Sequence, residues 1–269
     1  MRSRVWRALS IALVAVGALA LVDAGVTLVW QEPFSALYAK FRQDSLNGTL
    51  RAAERAIPNA VERRALASLP DERRRVAFLA SELQRHAANG SAVGRIEIPK
   101  IDASYVVVKG TDTSDLESGP GVYPETNFPG IAGTTAIAGH RTTYLAPFRK
   151  INLLHPGNHI LLKMPYAHFT YTVIDQRVVL PTDVSAAVSR VGYTRLVLSA
   201  CTPLFSAEKR LLVYARLTKT VPVGAARRLP GNPVIQPIPS TRTKRSHGAR
   251  APRLPTALTP VQPQIPLAL

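Results

Sequence analysis

The sequence predicts an all-β domain near its middle, preceded by a membrane-crossing helix and a helical spacer. Three observations carry that reading. From about residue 93 to 220 the chain breaks into roughly eight short β-branched runs between turn signals. Residues 31–92 instead show helical spacing of apolar positions. Ahead of both lies an apolar run long enough to cross a bilayer.

The β-like runs are Gly94-Arg-Ile-Glu-Ile-Pro99, Tyr105-Val-Val-Val108, Thr134-Thr-Ala-Ile-Ala138, His159-Ile-Leu-Leu-Lys163, Phe169-Thr-Tyr-Thr-Val-Ile174, Arg177-Val-Val-Leu180, Arg195-Leu-Val-Leu198 and Leu211-Leu-Val-Tyr-Ala-Arg-Leu217. So many strands without long helices between them argue an antiparallel sandwich or a closed barrel. Tight turns such as Pro156-Gly-Asn158 agree, and short helical turns are expected near Leu145 to Leu153 and near Asp183 to Ser189.

At the N-terminus, Arg2, Arg4 and Arg7 precede a nearly uncharged stretch from Ala8 to Trp30, broken by Asp23. At about 1.5 Å per residue such a stretch reaches roughly 30 Å, the thickness of a hydrocarbon core. The basic flank belongs on the cytoplasmic side, which places everything after Trp30 outside. A cleavable signal peptide competes through Ala18-Leu-Ala20, but apolar sequence continues through Val26, Leu28, Val29 and Trp30 and favours an uncleaved anchor over residues 1–30.

Residues 31–92 read as an Arg-rich helical spacer, with Leu46, Leu50, Ala53 and Ile57 at helical spacing and Pro58 and Pro70 dividing it. Its clusters Arg63-Arg64 and Arg73-Arg74-Arg75 suit a solvated charged face, with anionic headgroups or wall polymers as the other reading. Residues 93–220 form the β domain. Residues 221–269 are Pro-rich and basic with no acidic residue, a composition that cannot bury enough apolar surface to fold alone and predicts a disordered tail. Much of the formal charge of +17 therefore lies outside the β domain. Nucleic-acid binding, which needs basic residues interleaved with stacking aromatics on a folded face, is not expected.

One cysteine in the chain excludes an internal disulfide and a multi-Cys zinc site. His155, His159 and His168 show no ligand spacing, so neither metal nor cofactor is expected. The lone Cys201 ends the run Arg195-Leu-Val-Leu-Ser-Ala-Cys201, nine residues before Arg210. His140 ends a similar run inside Gly139-His140-Arg141. A free thiol is largely protonated at neutral pH, so a cysteine nucleophile needs a neighbouring base or cation, and histidine titrates in the right range. Arg210 offers a fixed donor fork for a developing oxyanion, with Lys209 and Arg216 as rivals by type. The amide of Thr202, just after the cysteine, is a further oxyanion candidate. Against these stand the plain readings: a buried cysteine, a turn histidine and a surface arginine.

Gly94-Arg-Ile-Glu-Ile-Pro-Lys-Ile101, Val107-Val-Lys-Gly-Thr-Asp-Thr-Ser-Asp-Leu116, Gly119-Pro-Gly-Val-Tyr-Pro124, Ala138-Gly-His-Arg-Thr-Thr143 and Cys201-Thr-Pro203 with Arg210 follow one another as in a sortase, and the pattern most resembles the actinobacterial class E type. The resemblance implies a closed eight-stranded β-barrel. It also implies a membrane-anchored cysteine transpeptidase that cuts a C-terminal sorting signal between Thr and Gly and joins the Thr to an amine of a peptidoglycan precursor. Its partners would be proteins bearing Leu-Pro-x-Thr-Gly or Leu-Ala-x-Thr-Gly signals, with the catalytic domain extracellular. Cys201 would be the nucleophile, His140 the acid for the leaving amine, Arg210 the oxyanion stabiliser and Tyr123 part of the signal groove. The family usually has threonine where this chain has Ala200, a position that helps orient substrate. That departure motivates an alternative: a catalytically impaired, membrane-anchored wall or peptide-binding module. A papain-like or L,D-transpeptidase enzyme ranks lower, because the histidine precedes the cysteine by some sixty residues.

Overall fold

The computed structural model describes residues 2–29, 33–56 and 58–227. Eight strands close into a barrel in the order β1 (Ala92–Ile98), β2 (Ala103–Lys109), β3 (Gly121–Val122), β4 (Thr134–Ala138), β7 (Arg195–Thr202), β8 (Lys209–Pro222), β6 (Ala167–Val179) and β5 (His159–Met164), which returns to β1. The pairing is not wholly antiparallel, because β2 with β3 and β4 with β7 run parallel. The chain between β4 and β7, carrying β5 and β6, is the long crossover that a parallel pair requires.

Eight is the expected count, but the strands divide differently. The runs at 169–174 and 177–180 belong to one strand, β6. Its pairing with β8 shifts register between Val173 and Asp175, so Ile174 is a bulged residue and the polar Asp175-Gln176 pair continues the strand instead of turning. The eighth strand is β3, two residues long and too short to show a period. Lys209 pairs with Thr202 as the first residue of β8.

Alternation builds the interior. Ile96 and Ile98 of β1 point into the core while Glu97 faces outward and receives Lys163 Nζ at 2.7 Å. Tyr171, Phe128, Phe148 and Phe169 fill the barrel as its largest sealed side chains.

Ahead of the barrel lie α1 (Arg2–Val29), α2 (Pro33–Arg55), α3 (Ala60–Ser68) and α4 (Glu72–His86). The Val5–Gly25 stretch of α1 is long and apolar enough to cross a membrane, and its large apolar side chains are exposed all round. Pro58 and Pro70 fall in the gaps between helices. Asn59 opens α3 with a capping box closed by Glu62.

Arg63, Arg64, Arg73 and Arg74 are exposed, as a solvated charged face requires, but Arg75 is buried and other parts of the segment pack on the barrel. Val76 and Ala80 of α4 join the barrel core, and Ala39, Gln43 and Leu50 of α2 are buried. Gln43 works as a rung on β2: its Oε1 accepts from Val106 N at 2.7 Å, and its Nε2 donates to Val106 O at 3.0 Å and to Ser118 O at 2.7 Å. Leu46 and Ala53 are half-buried, while Ile57 lies outside the described residues.

The ordered fold also runs past 220. β8 ends at Pro222, and a 3-10 turn, Gly224–Ala226, seats Ala226 in the core, where its carbonyl accepts from Arg75 Nε at 2.9 Å. The rest of the predicted tail, from 228, lies outside the described residues. Two short helices, α5 (Thr113–Ser118) and α6 (Val184–Val188), and a 3-10 turn at Ile151–Leu153 flank the site described next.

Candidate active site

Cys201 is the penultimate residue of β7. Along that strand Leu196, Leu198 and Ala200 belong to the barrel core, so Val197, Ser199 and Cys201 lie on the outer face. On one side the antiparallel ladder pairs Cys201 with Arg210 of β8. On the other, the parallel ladder pairs residues 61 apart, from Thr134↔Arg195 to Ala138↔Ser199. Gly139 N still bonds Ser199 O at 3.0 Å beyond the last paired residue. Carried two residues past the last pair, the same offset sets His140 opposite Cys201. Cys201 and Arg210 on β7 and β8, with His140 two residues past the end of β4, thus form a transverse row of backbone positions at the barrel rim.

Gly139 is required for this approach. A Cβ there would stand 2.6 Å from the ring of Phe148, which is fully buried in the core. His140 itself is half-buried, and its carbonyl accepts from Phe148 N at 3.0 Å. Burial pushes its pKa below the ordinary histidine value, with Glu117 pulling weakly the other way. Its Nε2 is sealed from solvent with no hydrogen-bond partner among the described residues. The Tyr144 ring packs against it at 5.2 Å between centroids, and the Tyr144 hydroxyl donates to Glu117 Oε1 at 3.0 Å. Tyr144, Leu145 and Ala146 all adopt left-handed backbone angles, at φ of 50°, 64° and 42°. Such angles cost non-glycine residues about 1 kcal/mol or more each. The turn is pinned by Ala146 N on Thr143 O at 2.8 Å, by the Tyr105 hydroxyl on Leu145 O at 3.3 Å and by Tyr144 N on Ser35 Oγ at 3.3 Å. Neither Glu117 nor Tyr144 stands out in the sequence, because the His140 turn creates their link to the site.

Arg210 is half-buried, and its Nη1 donates to the carbonyls of Ala207 at 2.9 Å and Lys209 at 3.2 Å. Its guanidinium is therefore held by its own loop in this state.

Next to the row, the outer face forms an apolar floor of Ala136, Val197, Leu212 and Tyr214 under Ala187 of α6. Tyr123 borders this floor, and its hydroxyl donates to Ser199 Oγ at 3.3 Å. Leu180, Val184, Leu204 and Phe205 are exposed apolar side chains.

Two candidate positions fall elsewhere. Ala200 is 3 % exposed and points into the core, so its side chain does not share a face with Cys201. Thr202 has the same parity as Ala200, and its pairing with Lys209 turns its amide toward β8 instead of toward the row. Its hydroxyl accepts from Arg141 Nη1 at 3.1 Å. The residue on the nucleophile's face is Ser199, which strict alternation from Cys201 would have picked out.

Residues 96–218 match the family model for the sortase domain, across nearly the whole barrel. The barrel is thus a sortase domain. Members of that family are cysteine transpeptidases. The chain is 35% identical over 130 residues to Sortase D of Bacillus subtilis, covering 47% of this chain and 64% of that protein. It is 30% identical over 148 residues to Sortase SrtE1 of Streptomyces coelicolor, covering 49% of this chain and 42% of the relative. The match thus spans less than two thirds of either curated relative. Among solved structures, sortase E from Streptomyces avermitilis is 30% identical with a TM-score of 0.46, covering 52% of this chain and 99% of that one. The sortase motifs of this chain fall on the barrel rim, with Cys201 at the end of β7 and Arg210 facing it from β8.

Proposed function

We propose that this sortase is a membrane-anchored cysteine transpeptidase that cuts a C-terminal sorting signal between Thr and Gly and transfers the Thr to a wall-precursor amine. The cross-strand pair Cys201–Arg210, with His140 just past the end of β4, is the observation that carries this reading. Cys201 thiolate attacks the Thr carbonyl, Arg210 stabilises the tetrahedral oxyanion, His140 protonates the departing Gly amine, and the acceptor amine resolves the thioester. The apolar floor beside Ser199 and Tyr123 suits the small apolar residues that precede the scissile bond in such signals. The class E pattern of the motifs favours Leu-Ala-x-Thr-Gly over Leu-Pro-x-Thr-Gly.

Two groups must rearrange on binding. Arg210 exchanges the Ala207 and Lys209 carbonyls for the substrate oxygen, and the Tyr144 turn opens to free His140 Nε2. α1 anchors the chain with its basic end in the cytoplasm and holds the barrel outside, where substrates emerge. Ala200 gives the binding-module alternative no support, since its side chain is inside the barrel.

The test is transfer. Full-length protein incubated with each sorting peptide and an amine acceptor should release the Gly-containing fragment and form the Thr–amine product with wild type but not with Cys201→Ala. Product in equal amount from both proteins would overturn the assignment.

A further inference from the structure

We infer that Arg141 is a positioning residue for the nucleophile, one whose side chain continues the β4–β7 ladder after the β4 main chain has ended. The inference rests on the sortase reading above. In the parallel ladder Ser199 O accepts from Gly139 N at 3.0 Å. The next β7 carbonyl facing β4 is that of Cys201, whose ladder donor would be the amide of Arg141. The guanidinium takes that place, with Nη1 on Cys201 O at 3.2 Å and on Thr202 Oγ1 at 3.1 Å.

The other donors fix the guanidinium itself. Nη2 reaches Asn152 Oδ1 at 2.9 Å and Arg149 O at 3.3 Å, and Nε reaches Arg149 O at 3.4 Å. One planar fork therefore joins the nucleophile strand, the turn after His140 and the segment around 149–152. Lysine cannot reproduce this, because its donors share one point. At 6 % exposure the group is buried, and every acceptor it uses is a neutral oxygen. The ionisable groups around it are His140, Arg149 and Cys201, with Arg210 and Lys209 across the end of β7. A buried cation without a carboxylate is poorly compensated.

The test compares full-length wild type with Arg141→Lys and Arg141→Gln, reading melting temperature, peptide affinity and the single-turnover rate of acylation at Cys201. Both variants should bind peptide within about threefold of wild type. Acylation should slow by about 10- to 100-fold, a loss typical of misplaced reacting groups, and Arg141→Lys should retain more than Arg141→Gln. Acylation at the wild-type rate in either folded variant overturns the inference. A loss that merely tracks melting temperature and affinity, or failure of both variants to fold, also overturns it, leaving a structural tie alone.

Should wild type acylate with neither peptide, the sortase reading fails separately. Iodoacetamide labelling of Cys201, the sole thiol of the chain, then decides the inference: labelling about tenfold slower in the variants supports it, and equal rates contradict it.

Discussion

Cys201 and Arg210 are direct cross-strand partners, the penultimate residue of β7 and the second residue of β8. Their side chains leave the sheet on the same face, so the loop between them sets where the guanidinium points. In this structure it points to the carbonyls of Ala207 and Lys209. The pair is aligned by the ladder and armed by the loop, so strand pairing preserves the position even when the side chain swings.

Arg210→Lys should therefore fold normally and lose about 100-fold in kcat/KM, with the loss in kcat, because a point charge does not reproduce the fork at the oxyanion. Steady-state kinetics with a sorting peptide check this, and near-normal kcat/KM would remove Arg210 from the mechanism.

The pH dependence of stability should report His140. Burial lowers its pKa in the folded chain below that of the unfolded chain, so between the two values the unfolded state binds more protons. Its share of stability is complete above about pH 6.5, the ordinary histidine value, and is lost as pH falls through the folded value. Melting curves from pH 8 to pH 5 should show wild type losing more stability on acidification than His140→Gln. Parallel curves would contradict the assignment.

Gly139→Ala should destabilise the barrel by about 1–3 kcal/mol, the usual range for an overpacked core. The added methyl would meet Phe148, itself sealed, at 2.6 Å. Chemical denaturation measures the change, and because Gly139 leads directly into His140 the acylation rate should fall as well.

Gln43→Ala should cost about 2–3 kcal/mol, since it leaves the Val106 amide and two buried carbonyls without their partner on α2. A shifted denaturation midpoint with an unchanged slope is the expected result. A neutral effect would mean that α2 does not stabilise the barrel.

The contrast between strands shows what a single sequence makes legible. β1, β2, β4, β5 and β7 alternate or run apolar without interruption, and their runs stand out. β6 hides its continuity behind the bulge at Ile174, and β3 is held by its parallel neighbour β2, not by any period of its own. The helices before the barrel read as helices, but their docking depends on single polar contacts such as Gln43 on Val106, which no apolar spacing encodes.

The site divides in the same way. Residue type and strand-end position singled out Cys201, His140 and Arg210. Ala200 enters as the family's usual threonine position and Thr202 through its amide, whereas the strand turns the Ala200 side chain into the core and pairs Thr202 with Lys209 of β8. Arg141 went unassigned because its acceptors at Cys201, Thr202, Arg149 and Asn152 are gathered only by the fold.

The measurement that bears most directly on the central claim is intact mass of the full-length protein after incubation with Leu-Ala-x-Thr-Gly and Leu-Pro-x-Thr-Gly peptides, with and without an amine. The account predicts a thioester adduct on Cys201, larger with the Ala peptide, discharged by the amine and absent in Cys201→Ala and His140→Ala. No adduct with either peptide, despite measurable binding, would contradict it and make the His140–Cys201–Arg210 row a structural feature of a peptide-binding barrel.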